Sequence, residues 1–245
     1  MSPERAEAAP PVAPITSISD PRVITLLTTE HWSLLSARSL AYNEAFTRAG
    51  MFLTFLSMSF VALALLSEAM AFTREFLSVA ALLLSFDFVV GLTTFGRIDG
   101  ANQDDLRAVH GMARIRHAYT QMTPIVTPYF TTPIHDDIGA VTAVYGPISD
   151  RLTGQIAYGR TTSAGMIALI VSMVGGVLTA VVAMLFGVPG GPSTWIGVGG
   201  GVLVMAGLIV YGAMSVDRVQ GRVEARFPTP GVDVPTDPEE ASGKP

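Results

Sequence analysis

The stretch FLSVAALLLSFDFVVGLTTF, residues 76–95, decides the fold. Its 20 residues match the roughly 20 that an α-helix needs to cross a hydrocarbon core about 30 Å thick. Three more stretches of the same kind, 49–67, 162–188 and 194–216, share the chain with it. The chain therefore reads as an all-α, polytopic membrane protein. Four transmembrane helices form two hairpins, 49–95 and 162–216, around a small cytosolic helical module at 96–161.

The flanks are ordinary or polar. Residues 1–19 carry prolines and no apolar run, and read as a disordered tail without a cleavable signal peptide. Asp20-Pro21 opens a juxtamembrane helix over 20–48, as an N-cap followed by proline at the first helical position. Residues 217–245 read as the end of the fourth helix and then, from Phe227, a proline-rich, acidic and disordered tail.

Basic residues set the expected orientation. Of the 15, only Arg74 lies between the first two spans and none lies between the last two. By the positive-inside rule both termini and the middle region face the cytoplasm of a bacterial plasma (inner) membrane. The net charge of -5 and the scattered arginines exclude a nucleic-acid surface. With no cysteine, disulfides, thiolate zinc sites and thiol nucleophiles are excluded as well.

In the middle region, Asn102 followed by Gln103, Asp104 and Asp105 reads as the N-terminus of a helix that Thr123-Pro124 stops. Leu106, Val109, Met112, Ile115, Tyr119 and Met122 make its apolar face. Arg107, His110, Arg114 and His117 form a second stripe, either solvated or suited to an anionic partner such as a cytosolic protein or a lipid headgroup. Arg116, on the apolar side, needs a buried anion or carbonyl. A short helix from Thr132-Pro133 to Gly146, and another over 149–158, complete the module.

Asp87 is the one charge within the four spans. A charge near the midplane costs at least about 2.5–3.5 kcal/mol, so it is expected inside the bundle or on a wet cavity. Antiparallel pairing sets it level with Ser57, with Thr54 one turn away. Those hydroxyls could hold it as a register-fixing clamp, or the group could serve a proton or cation path. Gly176 and Ala180 on the third span, and Gly197 and Gly201 on the fourth, have the spacing that lets helices approach closely. Two uses fit that spacing: packing of the third span on the fourth, or a seam between two copies of the chain.

No nucleophile elbow, phosphate loop, dinucleotide fingerprint or His-Glu-x-x-His motif occurs, so the reading is not an enzyme, with no catalytic, cofactor or metal site. His135-Asp136-Asp137 reads as acids at a helix start more than as metal ligands, since neighbours on a helix diverge by about 100°. A lipid-modifying enzyme would have to build its site around His135 and Asp136. At TTEHWSLLSARSLAYNEAFTRAG (28–50) and VHGMARIRHAY (109–119) the chain resembles uncharacterised bacterial, actinobacterial-type four-span membrane proteins. That resemblance implies an integral plasma-membrane protein without an assigned activity. The arginine-bearing helix leading into a hairpin is also faintly similar to two-span pore-forming effector domains of bacterial conflict systems. The expected function is a non-enzymatic interaction or scaffold protein in the bilayer, with a homo-oligomer as one candidate assembly. The alternative is an oligomeric pore or ion- or proton-conducting protein using Asp87.

Overall fold

A computed structural model describes residues 17, 18, 20–145, 163–220 and 224–231. All regular elements among them are helical: α1 Pro21–Met70, α2 Arg74–Met122, a 3-10 turn at Pro124–Tyr129, α3 Ile138–Ala143, α4 Ser163–Leu185 and α5 Gly190–Gln220. Four of these, α1, α2, α4 and α5, are long and apolar enough to cross a membrane. The helix expected over 149–158 lies outside the described residues.

The first helix begins as expected. Asp20 accepts from the Arg22 amide at 2.9 Å and Pro21 takes the first position. It then runs unbroken for 50 residues, about 75 Å at 1.5 Å per residue. The expected juxtamembrane helix and the expected first span are thus one rod.

The second helix corrects the reading of Asn102. No cap forms there, because α2 continues through it for 49 residues to Met122. Gly96 and Gly100 lie in its path and weaken helix by about 1 kcal/mol each. Burial outweighs them: Ile98, Ala101 and Asp105 are 2%, 0% and 1% exposed. The predicted stop holds, with Thr123 as C-cap before Pro124. The next helix starts later than expected. Asp137, not Thr132, is the N-cap of α3, and its Oδ2 accepts from the Ala140 amide at 3.0 Å.

α1 and α2 lie antiparallel in one register from end to end. Thr28 meets the Tyr119 hydroxyl at 3.4 Å, Glu44 meets Arg97 at 2.6 Å, and the Phe55 ring meets Phe86 edge-on at 6.2 Å. Between them Arg38 pairs with Asp105 through both nitrogens of its fork. The 21–48 and 96–122 portions therefore form a rigid two-helix polar arm projecting beyond the apolar zone. Within that zone, Phe52, Leu56, Leu84, Val171 and Val174 build a core shared by α1, α2 and α4.

α5 packs mainly on α4, through the glycine row the sequence picked out. A Cβ on Gly176 would lie 2.9 Å from the Gly197 carbonyl oxygen, and one on Gly197 would lie 2.8 Å from the Ala180 Cβ. Gly201 sits as closely on the Ser172 carbonyl, at 3.0 Å. Between the two expected uses of this row, the chain employs it internally. The outer face of α5 stays open, with Val198, Val202, Leu203 and Ile209 exposed.

Candidate functional site

Two places gather polar groups: Asp87 in the apolar zone, and the far end of the polar arm.

Asp87 is fully buried, and neither carboxylate oxygen has a hydrogen-bond partner. Leu84 and Gly91, about one turn before and after it on the same helix, are buried as well. Ser57 and Thr54 do not reach it. Both are exposed, and their hydroxyls donate to their own helix, Ser57 to the Leu53 carbonyl at 2.8 Å and Thr54 to the Gly50 carbonyl at 2.9 Å. The expected axial level is right and the expected face is wrong. A Cβ on Gly91 would lie 3.0 Å from the Phe52 ring, and that register sets Leu56, not Ser57, across from Asp87. One residue turns a helix by about 100°, enough to send a hydroxyl from the seam to the outside.

The arm end is a clamp on the C-terminal segment. Arg114 donates from Nε to Asp136 Oδ2 at 2.7 Å and from Nη2 to the Glu224 carbonyl at 2.5 Å. The same carboxylate receives the Arg226 amide at 3.0 Å and the Phe227 amide at 2.7 Å. Next to it, Asp137 Oδ1 receives the Thr229 amide at 2.9 Å and hydroxyl at 2.6 Å. The Phe227 ring stacks on His117 with centroids 4.2 Å apart. His135 Nδ1 stands 3.3 Å from the Phe227 carbonyl. Residues 227–231, expected to belong to a disordered tail, are thus held along the arm.

This recasts the Arg107, His110, Arg114 and His117 stripe. Arg107 alone is a surface residue, paired with Asp104 at 2.8 Å. Arg114 takes Asp136 of the same chain as its anion, His110 is buried beside that residue, and His117 stacks on Phe227. Arg116 finds the carbonyl it needs at Pro133, 3.4 Å away. The oxygens of Asp136 and Asp137 are committed to amides, a hydroxyl and a guanidinium. Among the described residues no group of three or more His, Cys, Asp or Glu is placed to hold a metal ion.

Sequence reasoning missed a third cluster. Asp105 is 1% exposed, accepts from Arg38, and receives the Tyr145 hydroxyl at 2.6 Å. It ties α1, α2 and the turn after α3 together. Burial and donation to Asp105 raise the Tyr145 phenol well above its ordinary range. Only the acids after Asn102 hinted at it, and they suggested a helix start.

No family model, curated protein or solved structure matches this chain.

Titration in the arm has a definite sign. Burial pushes the His110 and His31 imidazoles below their ordinary 6.5. The folded arm keeps them neutral where the unfolded chain would take up protons. Their contribution is therefore intact above about pH 6.5 and eroded as pH falls through that value. Burial raises the Asp136 and Asp137 carboxyls, but the donors around them outweigh it and leave both below 3.8. The clamp stays closed through mild acid and is lost as pH falls below that range. Thermal unfolding against pH is expected to decline in these two stages, with the first flattened by His31→Gln combined with His110→Gln. An unchanged first stage in that variant would refute the assignment.

Replacing Asp136 by alanine should open the clamp without unfolding the helices, because two amides and a guanidinium lose one acceptor. Hydrogen bonds to a charged group are each worth about 1.5–3 kcal/mol, so trypsin should cut after Arg226 at least roughly tenfold faster. Equal cutting in the wild type would contradict the docked segment.

Proposed function

We propose that this chain is a multi-pass protein of a bacterial plasma membrane, with both termini and the polar arm in the cytoplasm, acting as a non-enzymatic interaction or scaffold protein. The positive-inside bias supports the orientation. The outward apolar faces of the four long helices support the insertion, because lipid is the solvent that tolerates them.

One observation carries the interaction reading. On the arm, outside the apolar zone, α1 exposes Trp32 at 62%, Leu40 at 70% and Phe46 at 53%. Trp32 stands 17 residues before Ala49, about 25 Å of helix beyond the span, where lipid does not cover it. Exposed apolar surface at such a place marks a protein contact. The arm is stiffened by the Arg38–Asp105 pair, so it presents this face in a fixed direction. Purification in mild detergent should recover the protein in a complex, and Trp32→Ser with Leu40→Ser should dissolve that complex while leaving the melting temperature unchanged. A strictly monomeric wild type without a co-purifying partner would sink the reading.

A second reading, a proton- or ion-conducting protein, is favoured by the orphaned Asp87 carboxylate. A buried carboxyl without a donor calls for a proton or a cation as partner. Liposomes carrying the protein should then pass current or protons, and Asp87→Asn should abolish the flux. Silent liposomes, or flux indifferent to the substitution, would remove it.

A further inference from the structure

The outward face of α1 carries a row that none of the described residues covers. Trp32, Phe46, Leu53 and Phe60 are 62%, 53%, 41% and 50% exposed. They share a seven-residue register that Ser39 completes. Four positions after each of these five stands a small or short polar residue, also exposed: Ser36, Asn43, Gly50, Ser57 and Ala64. Ser39 apart, large residues alternate with small or short polar ones at the four- and three-residue intervals of a left-handed coiled-coil seam, and small positions of this kind let helices approach closely in a membrane.

We propose that α1 associates in parallel with α1 of a second copy of this chain along that row. The proposal rests on the membrane reading above and names the partner of the same arm. Three observations choose this occupant.

The row runs about 48 Å, from Trp32 on the polar arm to Ala64 inside the apolar span. A cytosolic protein could reach only its first half and lipid only its second. The occupant must cross from water into lipid beside α1 as a straight helix of matching length. A second α1 does so, held at the same height and in the same direction by its own span.

The row also suits its own copy. Arg38, Glu44 and Arg48, the charged residues of α1 between its ends at 32 and 64, all lie off it, so identical faces meet without like-charge repulsion. The Asn43 amide is both donor and acceptor and can pair with its twin, which fixes register in parallel coiled coils.

Finally, the small positions have room for a neighbour. A Cβ on Gly50 would meet nothing within 4 Å, unlike one on Gly176 or Gly197. Gly50 is a hole facing outward, open to an incoming aromatic or leucine side chain.

The natural absence of cysteine makes the test direct. Ser39→Cys, Asn43→Cys and Ser57→Cys, each alone in the full chain in native membranes, should form dimers under mild oxidation. Ala37→Cys and Met51→Cys are also exposed but point about 100° away, and should give at least several-fold less. Adding Gly50→Leu to Ser39→Cys should reduce the dimer several-fold without lowering the melting temperature, because the new side chain enters space that the described residues do not use and leucine favours helix over glycine. Membranes that retain the protein through an alkaline carbonate wash, with no dimer or with equal yields on and off the row, overturn the seam alone. A cross-link to a protein of different mass at the row positions overturns the choice of a second copy. Release of the chain by the wash overturns the membrane reading itself, whatever the cross-links show.

Discussion

Asp105→Ala should cost the protein about 3 kcal/mol of stability, the low end for breaking a buried ion pair. The low end applies because the Arg38 side chain retains 29% exposure, against 1% for Asp105. The substitution leaves a guanidinium without its carboxylate and the Tyr145 hydroxyl without its acceptor. It also cuts a link between elements 67 residues apart in sequence, so the arm helices should splay. Thermal unfolding in detergent should show a fall of several degrees, with faster proteolysis inside 21–48. Tyr145→Phe, which removes one hydrogen bond and leaves the ion pair, should cost about 1 kcal/mol. If the two variants melt alike, the pair is not what holds the arm.

Gly197→Val should be at least as damaging, by a different route. A Cβ there would sit 2.8 Å from both the Gly176 carbonyl oxygen and the Ala180 Cβ. Neither neighbour can swing aside, since one is backbone and the other is fixed to it. The helices must separate, which forfeits dispersion contacts along the whole α4–α5 seam. Overpacking of this kind costs about 1–3 kcal/mol where flexible side chains can yield, and more where backbone faces backbone. Gly176→Val should behave alike, its Cβ lying 2.9 Å from the Gly197 oxygen. Gly199→Val and Gly207→Val provide the contrast, because a Cβ at either position meets nothing within 4 Å. Those two should express and melt like the wild type. Equal loss at all four positions would mean that glycine matters there for reasons other than close approach.

The contrast between these sites shows what a linear chain discloses. Helix ends written in local chemistry, Asp20-Pro21 and Thr123-Pro124, were legible because a cap or a proline acts within a few residues. The glycine row was legible because close approach demands small residues at fixed spacing. The face of α1 that meets Asp87 was not. In a segment apolar on all sides, periodicity carries no direction, so the level of Asp87 could be read but not that Leu56, rather than the expected Ser57, turns toward it. Asn102 misled for a related reason: its cap signal is local, while the burial of Ile98 and Ala101 that keeps the helix going depends on α1. Least legible were the pairs made at long range. The bond from Arg226 to Asp136 spans 90 residues, and nothing near either partner announces the other. The His110 and Arg114 stripe looked like an invitation to an outside anion only because its own anion stands so far along the chain.

That long-range clamp also imposes an order on biogenesis. Asp136, Asp137 and Arg114 are made before α4 and α5, yet the amides that complete their coordination belong to residues 226–229. On the membrane reading proposed above, the arm must wait during synthesis, its carboxylates served by water, until both later helices have been inserted and the chain has returned to the same side. On that reading, closure of the clamp acts as a molecular receipt for the insertion of everything between. A chain stalled in α4 or α5 would lack both the Val171 and Val174 side of its core and the amides of 226–229, leaving two acidic groups without their partners.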